Sequence, residues 1–292
     1  MPTLNCEISE TLMRALTARS ARCGEPMAHI VMSALADALE VEHSTLFQVS
    51  TSTALVKGVY KGVVTIGQLR QHADFGLGTF DGLDGEMLAL DSHFYQIRGS
   101  GEVTEAGDDA RVPFAVVTTF RAERESTIDR VEGFDALAAR LDGMRRTANL
   151  FCAVRIDGRF SRIKSRAVCK AATGVSLVKA ASRQAEFEFT NVGGTIAGFW
   201  TPSYARSINI AGWHLHFVTA DRSGGGHLLD CQGVDLRVQV QDLDDVRIAL
   251  PETAAFLQAD LSQDPSRDLD VAERGGRRTG QQANNQPQES RR

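Results

Sequence analysis

The chain has 292 residues, enough for one large domain or two smaller ones. Its 42% hydrophobic and 24% charged content is that of a globular protein and excludes global disorder and collagen-like structure. With 32 Lys and Arg against 37 Asp and Glu the net charge is −5, which speaks against a chain broadly built to bind nucleic acid or an anionic membrane. No stretch approaches the ~20 apolar residues that cross a bilayer. The opening Met1-Pro2-Thr3-Leu4-Asn5-Cys6-Glu7 has neither a basic patch nor an apolar run, so no signal peptide is expected. The five cysteines are scattered without a Cys-x-x-Cys pair, which argues against a disulfide framework or thiolate zinc site and for a reducing cytoplasm.

Residues 1–43 are expected to form a strand, over 3–8, and two helices. Ser9 offers an N-cap oxygen, with Ile8 and Met13 placed as a hydrophobic staple. Leu12, Met13 and Leu16 stripe the first helix, Gly24 ends it, and Pro26 suits the first turn of the second. Ile30, Val31, Ala34, Leu35, Ala38 and Leu39 then follow the helical period. So short a segment buries little alone and is expected to dimerise. The pattern resembles the ribbon-helix-helix module, whose paired strands read DNA. Three arginines (14, 19, 22) face six carboxylates here, the wrong balance for neutralising phosphates, so dimerisation is favoured over DNA binding.

From residue 44 to 261 the chain is strand-rich, and an α+β fold of mixed and antiparallel sheets with segregated helices is expected. Residues 87–90 and 93–98 flank Asp91-Ser92 as a hairpin, and 114–120 form a β-branched strand suited to burial. The clearest helix is 132–145, with Phe134, Leu137, Leu141 and Met144 on one face. Residues 150–156 and 159–168 flank Asp157-Gly158 as a second hairpin. Strands follow at 195–200, 213–219, 226–234, 236–241 and 245–250. Residues 262–292 form a C-terminal tail, expected to be disordered from about Gly275.

Three of the seven histidines crowd together in Trp213-His214-Leu215-His216-Phe217 and Gly224-Gly225-Gly226-His227. On a strand, i and i+2 share a face, so His214 and His216 point together while Trp213, Leu215 and Phe217 face the core. The glycine-rich turn returns the chain and brings His227 onto the neighbouring strand. Three imidazoles on a rigid sheet suit a catalytic zinc with open coordination positions. The bland alternative is a set of half-buried polar residues on a solvated sheet face. The segment 74–86, with four glycines and three aspartates, lacks the spacing of a phosphate cradle or a calcium loop, and reads equally as a structural turn or a site loop.

Asp74-Phe75-Gly76-Leu77-Gly78-Thr79-Phe80 with Leu83-Asp84-Gly85-Glu86 resembles the signature of the alpha-acetolactate decarboxylase family. So do Pro113-Phe114-Ala115-Val116-Val117-Thr118, Arg155-Ile156-Asp157-Gly158, Gly198-Phe199-Trp200-Thr201-Pro202 and Gly212-Trp213-His214-Leu215-His216-Phe217, all in order. The resemblance implies conversion of 2-acetolactate to acetoin and carbon dioxide, with Zn2+ as cofactor. It places the zinc on His214, His216 and His227, a catalytic carboxylate on Glu86, an arginine on Arg166 and a C-terminal glutamate on Glu273, with Glu252 as the competing choice. Read alone, Glu86, Arg166 and Glu273 would be surface charges. The implied chemistry is loss of carbon dioxide to a zinc-stabilised enediolate, with Arg166 holding the carboxylate or oxyanion and a glutamate returning the proton. Two rivals stand beside it. One is a ribbon-helix-helix regulator with a metal- or metabolite-sensing body. The other is a cupin-like oxygenase, which would want a carboxylate where Ala220 stands.

Overall fold

The computed structural model describes residues 5–39 and 44–274, in two compact units, Met1–His43 and Ser44–Arg292. The first unit holds helices α1 (Glu10–Cys23) and α2 (Met27–Ala38). The Ser9 hydroxyl accepts from the Leu12 N–H at 3.2 Å, and Gly24 closes α1 in the left-handed region at φ 74°. No described residue of α1 is buried. The strand expected over 3–8 does not form in its described part, residues 5–8. A strand is defined by its ladder, and no described residue of the single chain pairs with this segment. Residues 3 and 4 lie outside the described residues.

The second unit runs in order through β1 (Thr45–Val49), α3 (Ser52–Val56), β2 (Val64–Thr65), α4 (Ile66–Leu69), β3 (Phe75–Thr79), β4 (Glu86–Leu90) and β5 (His93–Ile97). Next come β6 (Val103–Glu105), β7 (Arg111–Val112), β8 (Phe114–Thr118), β9 (Arg124–Val131), α5 (Phe134–Asp142), β10 (Phe151–Ala167) and α6 (Leu177–Ala181). The unit ends with β11 (Ala185–Thr201), β12 (Gly212–Thr219), β13 (Gly225–Leu243), β14 (Asp245–Ala249), α7 (Ala254–Gln258) and α8 (Ser266–Arg274). A seven-stranded sheet has the order β14-β1-β8-β3-β4-β5-β6, antiparallel except for the parallel β14–β1 pair. A five-stranded antiparallel sheet has the order β10-β11-β12-β13-β9, and β10 also pairs along β13. The α+β class expected from the sequence is what the structure shows.

The two sheets share one apolar layer. Leu77, Leu88, Phe114 and Val116 of the first meet Ala153, Ala197, Phe199 and Val218 of the second. The intervening residues Met87, Ala115 and Val117 pack with Ile66 and Leu69 of α4 on the other face, so β4 and β8 are buried on both sides. That explains their continuous apolar runs. Asp91 and Ser92, at φ 52° and 68°, make the tight turn that pairs Leu90 with His93.

Asp157-Gly158 is not a turn. β10 runs unbroken through it, pairing with β11 on one side and β13 on the other. The register against β13 slips between Asp157 and Arg159, and a Cβ on Gly158 would lie 2.6 Å from a Leu236 methyl. The glycine therefore marks a close approach at a bulge rather than a reversal. Likewise the two strands expected over 226–241 are one strand, β13, which absorbs Asp235 at φ 50° without breaking. Of the segment 74–86, residues 75–79 are strand β3, and only the turn after it adopts left-handed angles. Helix α5 is shorter at both ends than expected.

The C-terminal tail expected from residue 262 begins as part of the fold. Leu269 and Ala272 of α8, 4% and 1% exposed, join the apolar layer between the sheets. The disorder expected from Gly275 falls outside the described residues.

Candidate active site

The site forms where five elements converge. β12 contributes His214 and His216 on one face, while Leu215 and Phe217 pack into the core behind it. His227 lies on β13 directly opposite His216 in the ladder. That register needs β13 to run tight against β10: a Cβ on Gly226, at φ 134°, would meet the Arg166 carbonyl at 2.3 Å. Arg166 sits near the end of β10, Glu86 opens β4, and Glu273 lies in the last turn of α8.

The three imidazole centroids are 5.0 to 5.4 Å apart, and one nitrogen from each lies within 4.8 Å of the others. All three rings are buried. Burial holds the His214 pKa down at about 3, and desolvation keeps His216 and His227 well below the ordinary histidine value, with the Arg166 charge acting in the same direction on all three. These are neutral imidazoles with lone pairs to give. His216 Nδ1 lies 2.9 Å from the Met87 carbonyl and His227 Nε2 lies 3.0 Å from the Glu273 carbonyl. A carbonyl only accepts, so each of these nitrogens carries the proton. His216 Nε2 and His227 Nδ1 are left buried without a hydrogen-bond partner, as is His214 Nδ1. Orphaned buried nitrogens are rare, and three clustered histidines that each carry one fit the ligand set of a divalent metal ion.

Beside them lies a buried charge cluster. The Arg166 guanidinium donates to Glu273 Oε2 at 2.8 Å and stands 3.6 Å from Glu86 Oε1. Glu86 also accepts from the Val168 N–H at 3.2 Å and faces His216 Nε2 at 3.8 Å. Glu273 Oε2 is 3.4 Å from His227 Nδ1 and 3.9 Å from His214 Nε2. Burial raises the Glu86 pKa to about 7; Arg166 offsets part of that shift and the neighbouring Glu273 adds to it. A carboxyl group poised there can hold or release a proton near neutrality.

These groups open onto a pocket whose walls include Leu55, Thr79, Phe114, Leu177 and Ile210. All six residues marked out by sequence thus meet in one place, whereas Glu252, the competing glutamate, is exposed. Sequence reasoning missed the Met87 and Glu273 carbonyls and the Val168 N–H, since main-chain groups leave no trace in residue type. It also passed over Thr79, buried and donating to the Gly85 carbonyl at 2.7 Å.

Residues 46–263 match the family model of alpha-acetolactate decarboxylase. The chain belongs to the alpha-acetolactate decarboxylase family. That family comprises carbon–carbon lyases of the carboxy-lyase type. The alpha-acetolactate decarboxylase of Methanosarcina mazei is 41% identical over 230 residues, 78% of this chain and 80% of that protein. That of Lactococcus lactis subsp. cremoris is 37% identical over 238 residues, 80% of this chain and 99% of that protein. The crystal structure of the enzyme from Bacillus subtilis strain 168 superposes with a TM-score of 0.77 at 36% identity, covering 79% of this chain and 99% of that one. The family-model match takes in the histidines, Glu86 and Arg166, and includes neither the Met1–His43 unit nor α8.

Proposed function

We propose that this chain decarboxylates 2-acetolactate to acetoin and carbon dioxide. The observation that carries the reading is the set of three clustered histidines, each with an unpartnered buried nitrogen, beside the buried Glu86–Arg166–Glu273 cluster, in a chain of this family. Zn2+ held by His214, His216 and His227 supplies a Lewis acid for the substrate's oxygens. Arg166 offers a rigid cation to the substrate carboxylate or to the oxygen on which negative charge grows.

When the bond to the carboxylate breaks, its electron pair moves toward the neighbouring ketone and leaves an enediolate. One proton must then reach carbon for each carbon dioxide lost. Glu86, with its carboxyl held near neutrality, is the group suited to deliver it. Glu273 anchors Arg166 and is placed to relay the hydroxyl proton. The burial of these groups strengthens each of these interactions.

The Met1–His43 unit serves, in this reading, to hold two copies of the chain together, because Leu12, Met13, Val31, Met32 and Leu35 are exposed on helices too short to fold unaided. No helix among the described residues is long and apolar enough to cross a membrane. The unpaired thiols suit a cytoplasmic setting.

The test is direct. Purified protein is supplied with 2-acetolactate, and acetoin formation is followed alongside metal analysis of the same sample. Acetoin production tracking metal content is expected; a metal-loaded sample that leaves acetolactate intact overturns the proposal.

A further inference from the structure

The two outer hydrogen bonds of the imidazole cluster come from very different supports. His216 is held by the Met87 carbonyl, on a strand buried on both faces and paired on both edges. His227 is held by the Glu273 carbonyl, in the last turn of a nine-residue helix. The final carbonyls of a helix have no intrahelical partner, so this one is available to a side chain. α8 is anchored by Leu269 and Ala272, while Arg267, Asp268, Asp270 and Val271 face solvent. One helix therefore does two things. Its Glu273 carboxylate holds Arg166, and its Glu273 carbonyl fixes which nitrogen of His227 faces the centre.

We infer that α8 is a positioning element for the metal centre, its docking and cation binding by the three histidines each strengthening the other through the Glu273 carbonyl–His227 hydrogen bond. The inference rests on the metal reading above. With α8 docked, His227 is locked as the Nε2–H tautomer with its ring oriented and Nδ1 presented. With α8 lifted, the buried Nε2–H loses its acceptor and the ring is free to turn. Losing an outer hydrogen bond to a metal-ligating histidine weakens metal affinity about 10- to 100-fold. Linkage requires the same factor in the other direction, so a bound cation must suppress opening of α8 equally.

The test uses the full chain, stripped with a chelator and then reloaded with Zn2+, with amide hydrogen exchange followed over 266–274. Exchange there is expected to slow at least tenfold on loading. Zinc that binds stoichiometrically while α8 exchange stays the same overturns the inference and leaves the metal reading intact. Zinc that fails to bind overturns both. Leu269→Ala, which loosens the anchor and touches no ligand, is expected to raise the zinc dissociation constant about 10- to 100-fold. In the same variant, long-range nitrogen–proton NMR should show His227 no longer held in a single tautomer. Val271→Ala, on the exposed face of the helix, is expected to change neither. Leu269→Ala with faster α8 exchange but zinc affinity within twofold of wild type refutes the coupling. If that variant fails to fold, the exchange measurement on the unaltered chain still decides.

Discussion

Replacing Arg166 with methionine probes the centre of the charge cluster. Its side chain is 3% exposed and lies between two carboxylates that are themselves only 8% and 13% exposed. Methionine fills much of the same space and removes the cation. Taking one member from a buried ion cluster costs about 3–5 kcal/mol, because the partners stay buried without compensation. For a unit of this size each kcal/mol moves the melting temperature by about 2–4 °C, so a fall of roughly 6–20 °C is expected. The loss depends on pH with a definite sign. In the metal-free protein the folded-state pKa of Glu86 already lies above its unfolded value, so the fold is progressively penalised as pH rises from that unfolded value through about 7. Arg166 lowers that pKa; without it the penalty extends to higher pH, and the variant should fall further behind wild type at pH 8 than at pH 6. Thermal melts of both proteins in chelator at the two pH values measure this. Equal melting temperatures at both would show that Arg166 does not neutralise the carboxylates, and the electrostatic reading of the site would be wrong.

His216→Ala should abolish metal binding and acetoin formation together; in wild type, zinc at a thousandfold excess over its dissociation constant adds about 4 kcal/mol of stability, a gain the variant should not show in melts. Glu86→Gln should retain metal and slow turnover by about 10²–10⁴, as read in steady-state acetoin assays, and near-normal turnover would remove Glu86 as proton donor. Gly198→Ala places a Cβ 2.0 Å from the His214 carbonyl, so β11 and β12 must separate; a cost of about 1–3 kcal/mol and reduced zinc content are expected from melts and metal analysis.

The histidine cluster was legible because strand geometry has a period of two. His214 and His216 had to share a face, and a glycine-rich return had to bring His227 alongside. Glu86 and Arg166 carry no such pattern; by residue type alone they were surface charges, and only the family resemblance singled them out. Their burial depends on long-range pairing of the sheets, which no local window records. Asp157-Gly158 misled for the same reason, since a dipeptide that reverses a two-stranded ribbon stays extended when partners grip it from both sides. Glu273, chosen for the helical look of 269–273, lies in α8 and pairs with Arg166, although the segment was assigned to a tail. Two apolar residues, Leu269 and Ala272, tie that helix into the core cluster, beside α3 and α6.

The three clustered imidazoles all come from a single turn-linked strand pair, whereas the carboxylate on α8 arrives later along the chain. During synthesis, which proceeds from the N-terminus, the hairpin leaves the ribosome before the helix whose Glu273 carbonyl orients His227. In the proposed mechanism turnover waits until α8 emerges and docks. A nascent or clipped protein would then hold a cation only loosely and remain chemically silent, so both properties would mature together when α8 arrives.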